Sequence, residues 1–184
     1  MARALRRTKP QRIGHGIRRR PLAQLPVVQI PVLAGAELLL DTCVYVDVLQ
    51  DRTPPSIDEL LRARILNHST VCLAELTYLF GRLDPAHAGT KDVLREVRRT
   101  IEDMPAHRIS SPSEAAVGEA GMLAGLAARL LGVERAQRSL LLNDASLYLQ
   151  ALERGWTILT RNIRDFDIFD QLLPANRVLF YEER

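Results

Sequence analysis

Short apolar runs alternate with longer segments of helical periodicity from about residue 37 to the C-terminus. The short runs have the length of strands, and the longer segments repeat apolar positions three and four residues apart, as amphipathic helices do. Strands that alternate with helices and are joined by crossovers favour parallel pairing. The pattern therefore predicts an α/β fold with a mainly parallel central β-sheet flanked by α-helices on both faces. The predicted strands cover residues 37–41, 70–74, 107–110, 156–160 and 177–181, and the predicted helices cover residues 43–49, 56–66, 85–104, 113–131 and 143–154.

The segment from Asn143 to Phe166 places two acids near one edge of this sheet. Asn143 is a favourable N-cap and Gly155 a favourable C-cap, so the pattern predicts a helix between them with Asp144 in its first turn. The positive end of the helix dipole would favour the charged carboxylate there. Asp165 follows the next predicted strand, at the carboxyl edge where open α/β sheets bind ligands.

Basic residues are concentrated at the N-terminus. Residues 1–20 carry eight basic side chains and no acidic one, whereas the rest of the chain carries 17 basic and 22 acidic side chains, a net charge of −5. We therefore divide the chain into a basic, flexible arm at residues 1–35 and a folded domain at residues 36–184. The arm is either a solvated tail or a binding element for nucleic-acid phosphates through Arg18, Arg19 and Arg20, and a start codon placed too early would also explain it.

The sequence favours a cytoplasmic protein without a membrane segment. Residues 18–20 precede an apolar stretch, as in an export signal, but Pro26 and Pro31 interrupt that stretch, and no apolar run reaches the roughly 20 residues of a membrane span. Cys43 and Cys72 fit no zinc spacing and are interpreted as buried free thiols in a reducing compartment.

Four acids stand at the ends of predicted elements: Asp41, Glu75, Asp144 and Asp165. In a parallel sheet they can reach the same edge, where their charges would repel one another unless a cation lay among them. Mg²⁺ and Mn²⁺ prefer such oxygen ligands. A chance arrangement also remains open, since the chain has 22 acids.

Sequence signals for other chemistries are missing. The chain contains no Walker glycine loop, no dinucleotide-binding glycine motif, no nucleophile-elbow serine motif and no histidine pair at zinc spacing.

Four segments of the chain resemble the PIN-domain ribonucleases, in particular the VapC-type toxins of bacterial toxin–antitoxin systems. They are LLLDT at residues 38–42, STVCLAEL at 69–76, NDASLYLQAL at 143–152 and ILTRNIRDF at 158–166. They occur in the family order and span most of the chain from residue 37 onward. The basic arm is a departure from this family, and so is the segment after Asp144, where the family has a more alanine-rich run.

The resemblance implies a metal-dependent endoribonuclease with a PIN-like nuclease domain at residues 36–184. Asp41, Glu75, Asp144 and Asp165 would bind Mg²⁺ or Mn²⁺, with Asp167 as a reserve for the fourth acid. Thr42, Thr160 and Asn162 would support the pocket, and Arg161, Arg164 and the arm arginines Arg18, Arg19 and Arg20 are candidates for RNA binding.

The partners implied by the resemblance are an RNA substrate, a small antitoxin protein and a second copy of the chain in a homodimer. Two other functions stay open. The chain could be a stand-alone RNA-processing PIN nuclease, or a non-catalytic module that binds RNA or protein on the same fold.

Overall fold

A five-stranded parallel β-sheet forms the centre of the protein. The computed structural model describes residues 6–9, 13–14, 16–29, 34–132 and 138–184. The strands are β1 Leu38–Leu40, β2 Leu66–Ser69, β3 Ile109–Ser110, β4 Thr157–Thr160 and β5 Val178–Phe180, in the spatial order β3-β2-β1-β4-β5. All four strand pairs are parallel.

Seven α-helices connect and cover these strands, and residues 6–8 of the described chain are also helical. They are α1 Thr42–Leu49, α2 Pro55–Ala63, α3 Thr70–Arg82, α4 Thr90–Glu102, α5 Glu114–Leu131, α6 Arg138–Arg154 and α7 Ile163–Leu172. Short 3-10 turns occur at Leu22–Gln24 and Ala106–Arg108. The predicted α/β fold is therefore confirmed.

The centre of the sheet is fully apolar, which explains why β1 occupies the middle position. Leu38, Leu39 and Leu40 are buried, and Leu38 pairs with Leu66 on one side and with Thr157 on the other. Strands buried on both faces by helices are expected to be continuous apolar runs of this kind. Because β1 and β4 are parallel neighbours, the carboxyl ends of both strands and the residues that follow them lie next to each other.

The second strand differs from the predicted one. It covers residues 66–69, whereas residues 70–74 form the first turns of α3, capped by the Ser69 hydroxyl. Its polar side chains are accommodated because they have partners: Asn67 donates a hydrogen bond to Glu37 at 2.9 Å, and His68 Nδ1 lies 2.7 Å from the hydroxyl of Tyr45. Glu75 is consequently a helical residue and does not follow a strand.

Helix α6 begins at Arg138, five residues before the predicted start. Asn143 is therefore not its N-cap, and Asp144 lies in the second turn. The predicted stabilisation of Asp144 by the helix N-terminus is wrong, because such effects are confined to the first turn.

Part of the predicted arm lies on the domain. Val27 forms a parallel bridge with Phe180 of β5. The backbone N–H of Val28 donates to the carbonyl of Phe180 at 2.7 Å, and the N–H of Phe180 donates to the carbonyl of Pro26 at 3.0 Å. Leu25 and Val28 are buried. These contacts cover the sheet edge formed by β5, while a domain boundary between residues 35 and 36 stays a prediction.

Among the described residues, no helix is both long enough and apolar enough to cross a membrane.

Candidate active site

The first acid, Asp41, lies where β1 ends and α1 begins. Its Oδ1 accepts a hydrogen bond from the backbone N–H of Thr42 at 2.7 Å, which caps α1. Its Oδ2 accepts hydrogen bonds from the hydroxyl of Thr160 at 2.6 Å and from the thiol of Cys43 at 3.0 Å. Asp41 is buried, and these donors fix its carboxylate.

Glu75 reaches the same region from the second turn of α3. Its Oε2 accepts a hydrogen bond from the hydroxyl of Thr42 at 2.5 Å, and its Oε1 accepts one from the side-chain amide of Asn143 at 2.8 Å. Thr42 therefore links two acids, because its backbone N–H binds Asp41 and its hydroxyl binds Glu75.

Asn162 connects the remaining two acids. Its Nδ2 donates to Asp144 Oδ2 at 3.0 Å and lies 3.3 Å from Asp165 Oδ2. Its Oδ1 accepts a hydrogen bond from the backbone N–H of Asp165 at 3.2 Å, so Asn162 also caps α7. Its own backbone N–H donates to the hydroxyl of Thr160 at 2.8 Å. Thr160 and Asn162 thus hold three of the four acids between them.

An open cleft of about 810 Å³ lies in front of this cluster. Glu75, Asp144 and Asp165 line it together with Asn143 and Asn162. The cleft also has an aromatic and a basic side chain on its wall, Tyr78 and Arg82, which follow Glu75 along α3. Three acids therefore face a space that is open to a ligand, with the buried Asp41 adjoining them.

The acids raise one another's proton affinity. Burial, followed by the charges of Asp41, Asp165 and Glu75, raises the pKa of Asp144 to about 9. Burial also raises the pKa of Asp41, with a contribution from the charge of Glu75, although hydrogen bonds from Thr160, Cys43 and Thr42 oppose this rise. Burial is the larger cause of both shifts, and the charges of the neighbouring acids add to it.

The donor set fits a hard divalent cation in its chemistry. The acids present carboxylate oxygens, which Mg²⁺ and Mn²⁺ prefer, and a cation would relieve the repulsion that the pKa shifts reveal. In the described part of the chain, however, no group of three or more His, Cys, Asp or Glu side chains is arranged so that it could hold a metal ion as the side chains stand.

A sequence model of the PIN domain family matches residues 38–172. The chain belongs to the PIN domain family. This is a family of nucleases. The match includes all four acids, and it leaves the N-terminal arm and β5 outside.

Solved structures with the same fold cover most of this PIN domain. FitAcB from Neisseria gonorrhoeae is 24% identical, with a TM-score of 0.55 over 78% of this chain and 96% of that chain. VapBC2 from Rickettsia felis, solved bound to a DNA fragment from its promoter, is 17% identical, with a TM-score of 0.53 over 79% of this chain and 98% of that chain. DNA-bound VapBC from Salmonella typhimurium is 21% identical, with a TM-score of 0.50 over 78% and 97%. A comparison with curated proteins gives no significant match.

The reserve acid Asp167 lies apart from the cluster of four. Its Oδ1 accepts a hydrogen bond from Arg20 Nε at 2.5 Å, and its Oδ2 accepts hydrogen bonds from the Arg20 backbone N–H and from Gln171. Arg20 also donates to Asp170 at 2.7 Å. The carboxylate of Asp167 is thus paired inside the PIN domain and does not line the cleft.

The other arginines proposed for RNA binding fall into two groups. The guanidinium of Arg161 donates to the buried Asp47 at 2.7 Å, and that of Arg20 binds the acid pair on α7. Arg18, Arg19 and Arg164 are exposed, and Arg164 Nε lies 3.8 Å from Asp165 Oδ1. The guanidinium groups of the first group are engaged with buried acids, and a role of Arg161 in RNA binding stays a prediction.

Two polar residues at the site were not predicted as part of it. Asn143 appeared as a helix cap but donates to Glu75, and Cys43 appeared as an inert thiol but donates to Asp41. Both are adjacent in sequence, or nearly so, to acids that were predicted. Asn143 lies inside α6, one helical turn before the buried Leu147. Its contact with Glu75 could not be predicted because the sequence did not show that α6 begins at Arg138.

Proposed function

We propose that this PIN domain is a metal-dependent endoribonuclease that hydrolyses RNA phosphodiester bonds with Mg²⁺ or Mn²⁺ as its cofactor. The observation that carries the proposal is the meeting of four carboxylates from separate parts of the fold, three of them lining one open cleft. Asp41 is held in place by three donors, the backbone N–H of Thr42, the hydroxyl of Thr160 and the thiol of Cys43.

Asp41, Glu75, Asp144 and Asp165 would hold the cation. When bound, it would lower the pKa of an attacking water and offset the charge that develops on the phosphoryl oxygens. Thr42, Thr160 and Asn162 orient the acids, because each of these side chains donates a hydrogen bond to at least one of them.

RNA would be held by basic side chains at the mouth of the cleft. Arg82 lines the cleft, and Arg164 is exposed beside Asp165. Arginine pairs with phosphate through its planar fork of donors, which offsets the repulsion between the RNA backbone and the acids. The arm residues Arg18 and Arg19 would extend this basic surface.

The decisive experiment compares RNA cleavage by the wild type and by Asp144→Asn with Mg²⁺, with Mn²⁺ and with a chelator. We expect wild-type cleavage only with a divalent cation, and a loss of more than ~100-fold in Asp144→Asn, because even residues that only support metal ligands contribute ~10-fold to 100-fold. Asp92→Asn is the matched control, since Asp92 is exposed on α4 and pairs with Arg95. Equal cleavage by all three proteins would refute the assignment.

The same assay separates Asp165 from the reserve Asp167. Asp165→Asn should lose cleavage at temperatures where the protein is folded. Asp167→Asn should retain the activity of its folded fraction, because the Asp167 carboxylate binds Arg20 and not the cleft. The opposite result would move the fourth acid to Asp167.

We further propose that the protein is the toxin of a toxin–antitoxin pair and that it forms a homodimer. The motif resemblance to VapC-type toxins and the structural similarity to VapBC2 and VapBC support this role. An antitoxin segment would need an apolar surface near the cleft. Tyr78 and Phe80 of α3, which are 61% and 43% exposed, offer one.

Two measurements test these partners. Co-expression with the product of a small adjacent reading frame should yield a stable complex in which RNA cleavage is inhibited, and light scattering should give twice the monomer mass for the isolated chain. A neighbouring product that neither binds nor inhibits would favour a stand-alone RNA-processing nuclease. A monomer in solution would refute the homodimer.

A further inference from the structure

Another buried carboxylate, Asp47, lies on α1 outside the acid cluster. It is fully buried, and its side chain is surrounded by donors. Its Oδ2 accepts hydrogen bonds from Arg161 Nε at 2.7 Å and from the hydroxyl of Tyr181 at 2.8 Å. Its Oδ1 accepts hydrogen bonds from Arg52 Nη2 at 2.9 Å and from Arg161 Nη2 at 3.3 Å. Asp47 therefore joins α1, the turn after β4 and the residues after β5.

The position of Arg161 connects this network to the acid cluster. Arg161 stands between Thr160, which donates to Asp41, and Asn162, which donates to Asp144 and lies near Asp165. The hydrogen bonds between Asp47 and the guanidinium of Arg161 restrict the backbone at Arg161, and therefore the positions of Thr160 and Asn162 on either side. The turn is held further by the N–H of Arg161, which donates to Cys43 Sγ at 3.2 Å.

The charge of Arg161 is committed to this network. Two of its nitrogens contact Asp47, and Nη1 lies 3.6 Å from Glu183 Oε2. Pairing is also what allows Asp47 to be buried, because an unpaired carboxylate in the interior would be strongly unfavourable. Arg161 is thus better explained as an internal partner of Asp47 than as a contact for RNA phosphates.

We propose that Asp47 is a positioning residue for the acid cluster, acting through Arg161 on Thr160 and Asn162. The inference rests on the proposed nuclease function for its effect on activity, but the placement of Thr160 and Asn162 can be measured without it. Among the described residues, the hydrogen-bond partners of Asp47 are Arg52, Arg161 and Tyr181. Asp47 does not line the cleft and contacts none of the four acids there.

The first test compares Asp47→Asn with Arg161→Gln and with the double variant. Asn is close in shape to Asp but removes the charge that pairs with Arg161. We expect the kcat for RNA cleavage and the affinity for Mn²⁺ alone to fall ~10-fold to 100-fold in each single variant, as for other residues that orient metal ligands, with KM for RNA changed less. The double variant should resemble the single ones, because both break the same link.

The controls separate positioning from loss of stability. All measurements are made well below the unfolding temperature of each variant, and Asp92→Asn should match the wild type because Asp92 is exposed on α4. Arg161→Lys keeps a positive charge near Asp47 and should recover part of kcat. Unchanged kcat and Mn²⁺ affinity in the folded Asp47→Asn protein, or fully additive effects in the double variant, would overturn the proposal.

A spectroscopic test is independent of cleavage and metal binding. Selective ¹⁵N labelling of asparagine reports the side-chain amides of Asn67, Asn143, Asn162 and Asn176. Asp47→Asn and Arg161→Gln should both shift the Asn162 amide signals, because its contacts with Asp144 and Asp165 change, while Asn67 and Asn176 stay in place. An unmoved Asn162 signal in both variants contradicts the proposal, whatever the protein cleaves. A shifted Asn162 in a protein that cleaves no RNA would instead refute the nuclease function alone.

Discussion

Two clusters of carboxylates share helix α7 and are stabilised in different ways. Asp167 and Asp170 are buried, and Arg20 places its guanidinium between them, with donor distances of 2.5 and 2.7 Å. Asp165, two residues before Asp167, belongs to the cluster of four acids, where the described ion pair is formed by the exposed Arg164, whose Nε lies 3.8 Å from Asp165 Oδ1. The chain supplies a cation to the first cluster and leaves the second with unbalanced negative charge.

This contrast indicates what each cluster is built for. Every oxygen of the buried acid pair accepts a hydrogen bond from the chain, and Arg20 binds both acids, so the pair fastens the arm to the helix without a ligand from solution. A cluster in which the pKa of Asp144 is raised to about 9 is unfavourable when it stands alone. Such a cluster is expected where a cation from solution completes it.

The largest expected effect comes from removing the built-in cation. Arg20→Met removes the guanidinium that binds both Asp167 and Asp170, and because Asp167 is fully buried we expect the free energy of unfolding to fall by about 3 kcal/mol. Denaturant unfolding followed by circular dichroism measures this change.

Two further variants show whether the unpaired charge is the cause. Adding Asp167→Asn and Asp170→Asn to Arg20→Met should restore most of the lost stability. Arg19→Met should change stability by less than about 0.5 kcal/mol, as is usual for exposed positions. A loss of the same size in Arg19→Met would mean that the arm packs mainly through other contacts.

The second expected effect comes from removing one carboxylate from the acid cluster, that of Asp144. The folded state holds the Asp144 proton more tightly than the unfolded chain, because the pKa rises from its ordinary 3.8 to about 9. Stability is therefore lost as the pH rises from about 4 to about 9. Without added metal, Asp144→Asn should be more stable than the wild type by about 2 kcal/mol at neutral pH.

Thermal unfolding across pH 4 to about 9 in the presence of a chelator tests this sign. The advantage of Asp144→Asn should grow with pH and become small near pH 4, where the carboxyl is protonated in the folded state and partly protonated in the unfolded chain. Asp92→Asn should show no such trend. A variant less stable than the wild type at neutral pH would show that the Asn162 hydrogen bond outweighs the repulsion.

The sequence allowed more of the fold to be predicted than of the candidate active site. The apolar run at Leu38–Leu40 and the helical periodicities determine an α/β architecture, since strand and helix periods are local signals. The strand Leu66–Ser69 was not predicted, because Asn67 and His68 are polar and interrupt the apolar pattern. Their partners, Glu37 and Tyr45, lie 30 and 23 residues away in sequence.

The same limit applies to the charged clusters. The four acids were expected at one edge of the sheet, but nothing local distinguishes Asp165 from Asp167, which both follow the last long strand. The distinction comes from Arg20, 147 residues before Asp167. Because the arm looked flexible on composition alone, its contact with α7 could not be anticipated.

The third prediction adds the missing cation to the site. Mn²⁺ at ten times its Kd should raise the free energy of unfolding of the wild type by about 1.4 kcal/mol, because it binds the folded state only. Asp144→Asn should show a much smaller rise, whereas Asp167→Asn should keep it. An equal rise in Asp144→Asn would place the binding site elsewhere in the molecule.

The smallest expected effect concerns arm arginines that are not part of a cluster. Arg18 is exposed and contacts α7 through its backbone carbonyl, which accepts a hydrogen bond from Gln171 at 3.0 Å. If its side chain contacts an RNA phosphate, Arg18→Gln should reduce the slope of log affinity against log salt by about 0.7, the value for one contact with single-stranded RNA. Binding is measured between about 50 and 200 mM salt with the inactive Asp144→Asn protein, so that RNA stays intact.

Deleting residues 1–34 would not test this cleanly, because it would also remove Arg20 from Asp167 and Asp170. An unchanged slope in Arg18→Gln would leave the arm with only its structural contact, and the basic surface would then begin at Arg82 and Arg164.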